Sequence, residues 1–312
     1  MVDWKKVGKI LVDGPLDYLE SDKIQEAIDE GELSKALSIV RHNVKKNPKK
    51  ADSWIELADV LCDMEEYGEA VGAYEKALKI KPNDSYIWYN KSHALHGLNK
   101  YKEALEACNH ALKIDPDDAT FLVHKSDLLL HLDENKEALI TIKKALELEP
   151  DDVDALSTYS EILSELGKHE DALQISKQLI KEDPDDPENW TALSHDLMML
   201  KNYNEALKAI EKALSMNPYD EVALNNKAEV LCELGKYKEG LVLILESLEI
   251  DPSNDDAWLT KSKILSYFNR QDESLDALVV SLSLNPRNKK KIIDEKAFKN
   301  IESNERFRIL VS

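Results

Sequence analysis

Four side chains invite a chemical reading first. His93 and His96 stand one helical turn apart, and Asp127 and His131 do the same further along the chain. Imidazole and carboxylate together form a donor set that suits zinc or nickel. The same groups also serve as polar contacts that hydrogen-bond a bound ligand, and that plainer reading assigns no metal and no cofactor. Catalysis finds little else to build on. No glycine-rich phosphate loop, nucleophile elbow or His-Glu-x-x-His motif occurs, and the chain holds only 9 glycines. The expectation is a non-enzyme; catalysis would have to show as turnover lost on changing His93 or His131.

The prolines disclose the elements that position these groups. Eight of the 10 stand at 48, 82, 116, 150, 184, 218, 252 and 286, every interval being 34 residues. Fixed self-similarity at such a period marks an array of helix-turn-helix units, each of which must stack on its neighbours to bury its apolar face. Within residues 51 to 84, Trp54, Leu57, Ala58 and Leu61 fall at i, i+3, i+4 and i+7, one face of an α-helix. A second face follows at Ala70, Tyr74, Ala77 and Leu78, with the short polar stretch Glu65-Glu66 between. Two antiparallel helices result. Pro82 ends the second, and acids such as Asp117-Asp118 or Asp151-Asp152 cap the helix that follows.

These spacings resemble the tetratricopeptide repeat over residues 17 to 288. The family's large residue corresponds to Trp54, Trp88, Leu122, Leu156, Trp190, Leu224 and Trp258, and its small residue to Ala58, Ser92, Ser126, Ser160, Ser194, Ala228 and Ser262. Leu61, Leu95, Leu129, Leu163, Leu197, Leu231 and Leu265 take its aromatic position. Lys91, Lys125, Lys227 and Lys261 stand where the family favours Leu, so their stems should pack while their ammonium groups reach water. The resemblance implies an all-α, right-handed superhelical solenoid of antiparallel helix pairs. Residues 1–16, with Trp4, Val7 and Leu11 on one side, read as a capping helix and 17–50 as a degenerate repeat. Seven repeats fill 51–288, and capping helices fill 289–312, where Ile292, Phe298, Ile301, Phe307 and Leu310 can seal the last repeat. One continuous solenoid is expected. The basic tail could instead fold back and inhibit.

Bulk properties narrow the partners. With 41 basic and 61 acidic residues, the net charge of -20 repels a phosphate backbone, so nucleic acid is excluded. No stretch of about twenty apolar residues occurs, and the opening MVDWKKVGKILVDG lacks a signal-peptide core, so a soluble, cytoplasmic protein is expected, without membrane attachment. Cys62, Cys108 and Cys232 lie far apart inside apolar patterns and imply no disulfide framework.

In the family, the second, fifth, ninth, twelfth and thirteenth positions of each first helix line the concave wall. Carried onto this sequence, they imply a peptide-binding site of Asp52, Asp59, Asp63, Tyr86, Tyr89, His93, His96, Asp127, His131 and Asp154. It continues through Glu161, Glu165, Glu188, His195, Met198, Met199, Asn225, Glu229 and Glu233. Over eight units, twelve of the forty wall positions are acidic and only Lys263 is basic. That imbalance disfavours the family's carboxylate clamp, which needs cations, although Asn90 and Asn226 occupy the clamp's asparagine position. The reading is therefore a scaffold or adaptor holding a basic, partly apolar peptide, with Tyr86, Tyr89, Met198 and Met199 as anchors. The alternative is a non-catalytic regulatory or assembly subunit that uses the convex face or the caps.

Overall fold

The computed structural model describes residues 15–293 and 295–311. The capping helix expected over residues 1–16, with Trp4, Val7 and Leu11, lies outside them but for its last two positions. The described residues form α-helices and no strand, in two compact units divided after Asp151. The first unit consists of four helix pairs: α1 (Pro15–Asp29) with α2 (Leu33–Lys46), α3 (Ala51–Asp63) with α4 (Tyr67–Ile80), α5 (Ser85–Gly97) with α6 (Tyr101–Ile114), and α7 (Ala119–His131) with α8 (Asn135–Leu148). The second continues with α9 (Val153–Glu165) and α10 (His169–Glu182), α11 (Pro187–Met199) and α12 (Tyr203–Met216), α13 (Glu221–Glu233) and α14 (Tyr237–Ile250), and α15 (Asp255–Tyr267) and α16 (Gln271–Leu284). It closes with α17 (Asn288–Ile293), a 3-10 turn at Lys296–Phe298 and α18 (Glu305–Val311).

Two devices, repeated in register, start and stop these helices. From α5 onward the first helices open on a side-chain cap, whereas α3 opens on Lys50 without one: Asp84, Asp118, Asp152, Asp220 and Asn254 accept the amides of Ile87, Phe121, Ala155, Ala223 and Ala257 at 2.7 to 3.3 Å, and Asp186 accepts that of Glu188. The turn from first to second helix works differently. One residue there adopts the left-handed conformation in every pair: Gly31, Glu65, Asn99, Asp133, Gly167, Lys201, Gly235 and Asn269, with φ between 58° and 77°. The following amides then reach back to the helix end, as Glu66 N–H does to the Leu61 carbonyl at 2.8 Å. Glycine adopts this backbone freely, whereas Glu65 and Lys201 do so under strain.

The 34-residue register of the core is as expected. Each of Ala58, Ser92, Ser126, Ser160, Ser194, Ala228 and Ser262 is buried where the two helices of a pair approach, as are the seven leucines from Leu61 to Leu265. Burying each leucine is worth about 2 kcal/mol. The buried hydroxyls find carbonyls, Ser92 donating to Ala104 and Ser262 to Ser274, both at 2.7 Å. The tryptophans have a second task. Trp54, Trp88, Trp190 and Trp258 each donate the indole N–H to the carbonyl of the proline six residues earlier, at 2.9 to 3.0 Å. This joins each pair to the loop before it.

The lysines at the family's Leu position are not simply released to water. Lys91 Nζ pairs with Glu75 at 3.0 Å, Lys125 with Glu137 at 3.2 Å, and Lys261 lies 4.3 Å from the Trp258 ring centre. In the tail, Ile292, Phe298, Ile301 and Phe307 are buried against Leu259, Leu275 and Leu278. Cys62 and Cys108 are buried and Cys232 half-buried, and burial pushes all three thiols up to about 12, away from reactive thiolate.

Candidate functional site

In the first unit, first helices of neighbouring pairs meet through a column of rings. Tyr89 on α5 stacks on Phe121 of α7 at 4.7 Å, and His93 stacks on His124 at 3.7 Å. His96 then meets His131 at 4.9 Å, and His131 lies flat on Tyr101 at 4.5 Å. Burial drives the His93 imidazole down to about 3, with His96 adding repulsion, and drives His124 well below the ordinary range. Burial also lowers His96, against the opposing pull of Asp127. The buried His93 and His124 rings are neutral at pH 7. They stiffen the wall rather than carry charge.

His124 was not among the expected wall residues. It occupies the repeat position held by Asn90 and Asn226, and its Nε2 lies 2.9 Å from the Ser92 hydroxyl. The position varies among Glu56, Asn90, Thr158, Ala192, Asn226 and Thr260, so the sequence carried no signal for it.

The expected acids of this unit are largely engaged. Asp52 accepts from Lys81 at 2.8 Å. Tyr74, fully buried on α4, donates its hydroxyl to Asp59 at 2.5 Å, yet burial still raises the Asp59 carboxyl to about 7. Asp63 is raised by burial too. Tyr86 is 55% exposed and offers area to a ligand, whereas Tyr89, expected beside it, is buried.

The second unit presents its acids more openly. Asp154, Glu161 and Glu165 on α9 and Glu188 on α11 are exposed, and neither helix contains a Lys or Arg. Met199 is 49% exposed, but Met198 and Asn225, expected as contacts, are buried. Glu229 is matched by Lys263 at 3.2 Å and Thr260 at 3.1 Å; burial pushes its carboxyl up, but Lys263 and these hydrogen bonds hold the net below the ordinary range. Lys263 also lies 3.6 Å from Glu295 of the tail, and Ser266 donates to the Ala297 carbonyl at 2.7 Å. Tail residues thus cover wall positions of the last pair. Glu233 accepts from Tyr203 at 3.0 Å.

Among the described residues, two groups gather ligand-type atoms within 4.8 Å of one another: His96, Asp127 and His131 in the first unit, and His169, His195 and Asp196 in the second. His169, on α10, was not foreseen; only its packing against α11 places it. Among the described residues no helix is long and apolar enough to cross a membrane.

A repeated helix pair with a capped first helix, a left-handed turn and a proline exit is the tetratricopeptide architecture. Family models described as tetratricopeptide repeat match residues 22–85, 55–119 and 129–195, together more than half of the chain. A third, described as anaphase-promoting complex, cyclosome, subunit 3, matches residues 199–280. The chain belongs to the tetratricopeptide repeat family. Among solved structures it is similar to a tetratricopeptide repeat protein from Parabacteroides merdae, with TM-score 0.69 and 17% identity over 80% of this chain and 98% of that one. It is also similar in fold to the APC/C hetero-tetramer Cut9-Hcn1, with TM-score 0.65 and 19% identity over 78% of this chain and 48% of that one. Yeast Tom70 gives TM-score 0.56 and 19% identity over 81% and 55% of the two chains. None of the curated proteins matches it in sequence.

Proposed function

We propose that this chain is a non-catalytic interaction scaffold whose first-helix walls hold a basic, partly apolar peptide or protein segment. The observation that carries the reading is the exposed acidic wall of the second unit, Asp154, Glu161, Glu165 and Glu188, on two helices without a Lys or Arg. Carboxylates crowded on one surface repel one another. A cationic segment relieves that repulsion and is steered in at long range. Met199 on the same wall, and Tyr86 on the wall of the first unit, supply apolar anchors.

The test is a peptide array probed at 0.1 M and 1 M salt, between which the Debye length falls from about 10 Å to about 3 Å. Lys/Arg-rich peptides with an aromatic or Leu anchor should bind best, and salt should loosen them. A variant with Asp154→Asn, Glu161→Gln, Glu165→Gln and Glu188→Gln should lose most of that binding. Asp59, Asp127 and Glu229 are kept native in this variant, since Tyr74, two histidines and Lys263 lie against them and changing them would alter the wall itself. Acidic peptides binding best, or a variant that still binds basic ones, would refute the reading.

A second reading, a subunit of a larger assembly, draws on the match of residues 199–280 to an anaphase-promoting complex subunit and on apolar side chains exposed on second helices, Ile140 at 72% and Val242 at 64%. Cross-links to a native partner falling on α8 and α14, and none on α9 and α11, would favour it.

A further inference from the structure

The first unit joins three metal-ligating side chains in a way that peptide binding does not require. Asp127 and His131 are four residues apart on α7 and so share one face, and His96 projects from the last turn of α5 beside them. His96 Nδ1 lies 3.5 Å from one Asp127 oxygen and His131 Nε2 lies 3.6 Å from the other. An N–H···O bond is shorter, about 2.7 to 3.2 Å. Each nitrogen faces a different Asp127 oxygen, and either separation is near the ~3.4 Å edge of a tetrahedron around an ion with bonds of about 2.0 to 2.1 Å, so a small adjustment brings both nitrogens and one oxygen onto a common ion. All three donor atoms lie within 4.8 Å of one another, and their side chains are 26%, 33% and 42% exposed for His96, Asp127 and His131, so an ion can reach them.

We propose that His96, Asp127 and His131 form a binding site for a divalent transition ion of the zinc class, with the fourth position left to water or a ligand atom from a partner. The surroundings suit that role. Tyr101 lies flat against the His131 ring at 4.5 Å and edge-on to His96 at 5.5 Å, which limits ring rotation and presets the donor nitrogens.

The second unit supplies the contrast. There Asp196 is buried and one of its oxygens already accepts from Ser164 at 2.5 Å and lies 3.0 Å from His169 Nδ1. Those separations are hydrogen bonds, and that cluster ties α9, α10 and α11 together.

The experiment titrates zinc chloride into the full chain at neutral pH by calorimetry and follows cobalt(II) chloride by visible absorption. One zinc per chain is expected, with tetrahedral cobalt bands of high intensity. His96→Gln and the isosteric Asp127→Asn should each weaken zinc at least tenfold and abolish the cobalt bands while helicity by circular dichroism is kept. His169→Gln should leave both readouts within twofold of the native chain. Native binding no tighter than that of a His96→Gln/His131→Gln double variant would overturn the proposal, as would loss of the site in His169→Gln. The site does not depend on peptide binding: zinc bound by a chain that fails to take basic peptides upholds the site, and that failure on the peptide array counts only against the scaffold reading.

Discussion

Asp59 is where burial and charge compete most directly, and it should make stability depend on pH in a way one substitution removes. Its carboxyl has an ordinary value of 3.8 and is raised to about 7 in the folded chain, chiefly by burial, with the Tyr74 hydroxyl opposing the shift. A raised acid favours the protonated form in the native state. Its contribution is therefore fully present below pH 3.8, declines as the unfolded chain ionises, and is lost once pH exceeds about 7. About three units at 1.36 kcal/mol each put the cost of the ionised group on the order of 4 kcal/mol above neutrality. Asp59→Asn keeps an oxygen for Tyr74 and carries no charge. It should scarcely change stability at pH 4, and by pH 8 it should stabilise by a few kcal/mol, a large increment for a folded domain. Urea unfolding of both proteins by circular dichroism at pH 4, 6 and 8 reads the difference directly, and the comparison cancels the general effect of the net charge of -20. A difference that is the same at pH 4 and pH 8 would refute the reasoning.

The turn and the tryptophan lend themselves to paired substitutions. Lys201→Gly, at φ 62°, should stabilise by about 0.5 to 1 kcal/mol, whereas Gly235→Ala, at φ 77°, should destabilise by about 1 kcal/mol; changes of the same sign would remove the account of the left-handed turn. Trp88→Phe, which loses the indole N–H bond to Pro82 at 3.0 Å and part of the ring stacked on His110, should cost about 1 kcal/mol, and Trp88→Ala about 3 kcal/mol; a Trp88→Phe urea midpoint equal to that of the native chain would mean that the proline bond contributes nothing. Removing residues 289 to 312 uncovers Leu259, Leu275 and Leu278 and should drive association visible by light scattering, whereas a truncated chain that stays monomeric and binds basic peptide more tightly would make the tail an inhibitor instead.

Period alone determined the architecture. A proline every 34 residues, acids at the helix starts and apolar residues at i, i+3, i+4 and i+7 dictate two helices per unit and which face of each turns inward, because backbone geometry repeats whenever local chemistry repeats. The left-handed turn was legible as well, since Gly31, Gly167 and Gly235 share one register position with Asn99 and Asn269. The state of the wall was not. A register position says which way a side chain leaves its helix, but its exposure and ionisation depend on groups brought in from other helices. Tyr89 is buried because Phe121 and His124 come from the next pair, and Asp59 is perturbed because Tyr74 reaches it from the second helix. Glu229 is neutralised by Lys263, 34 residues on, a partner that α13 itself does not supply. Solvation and Coulomb energies are set by these through-space neighbours, and only the stacking of one helix pair on the next supplies them.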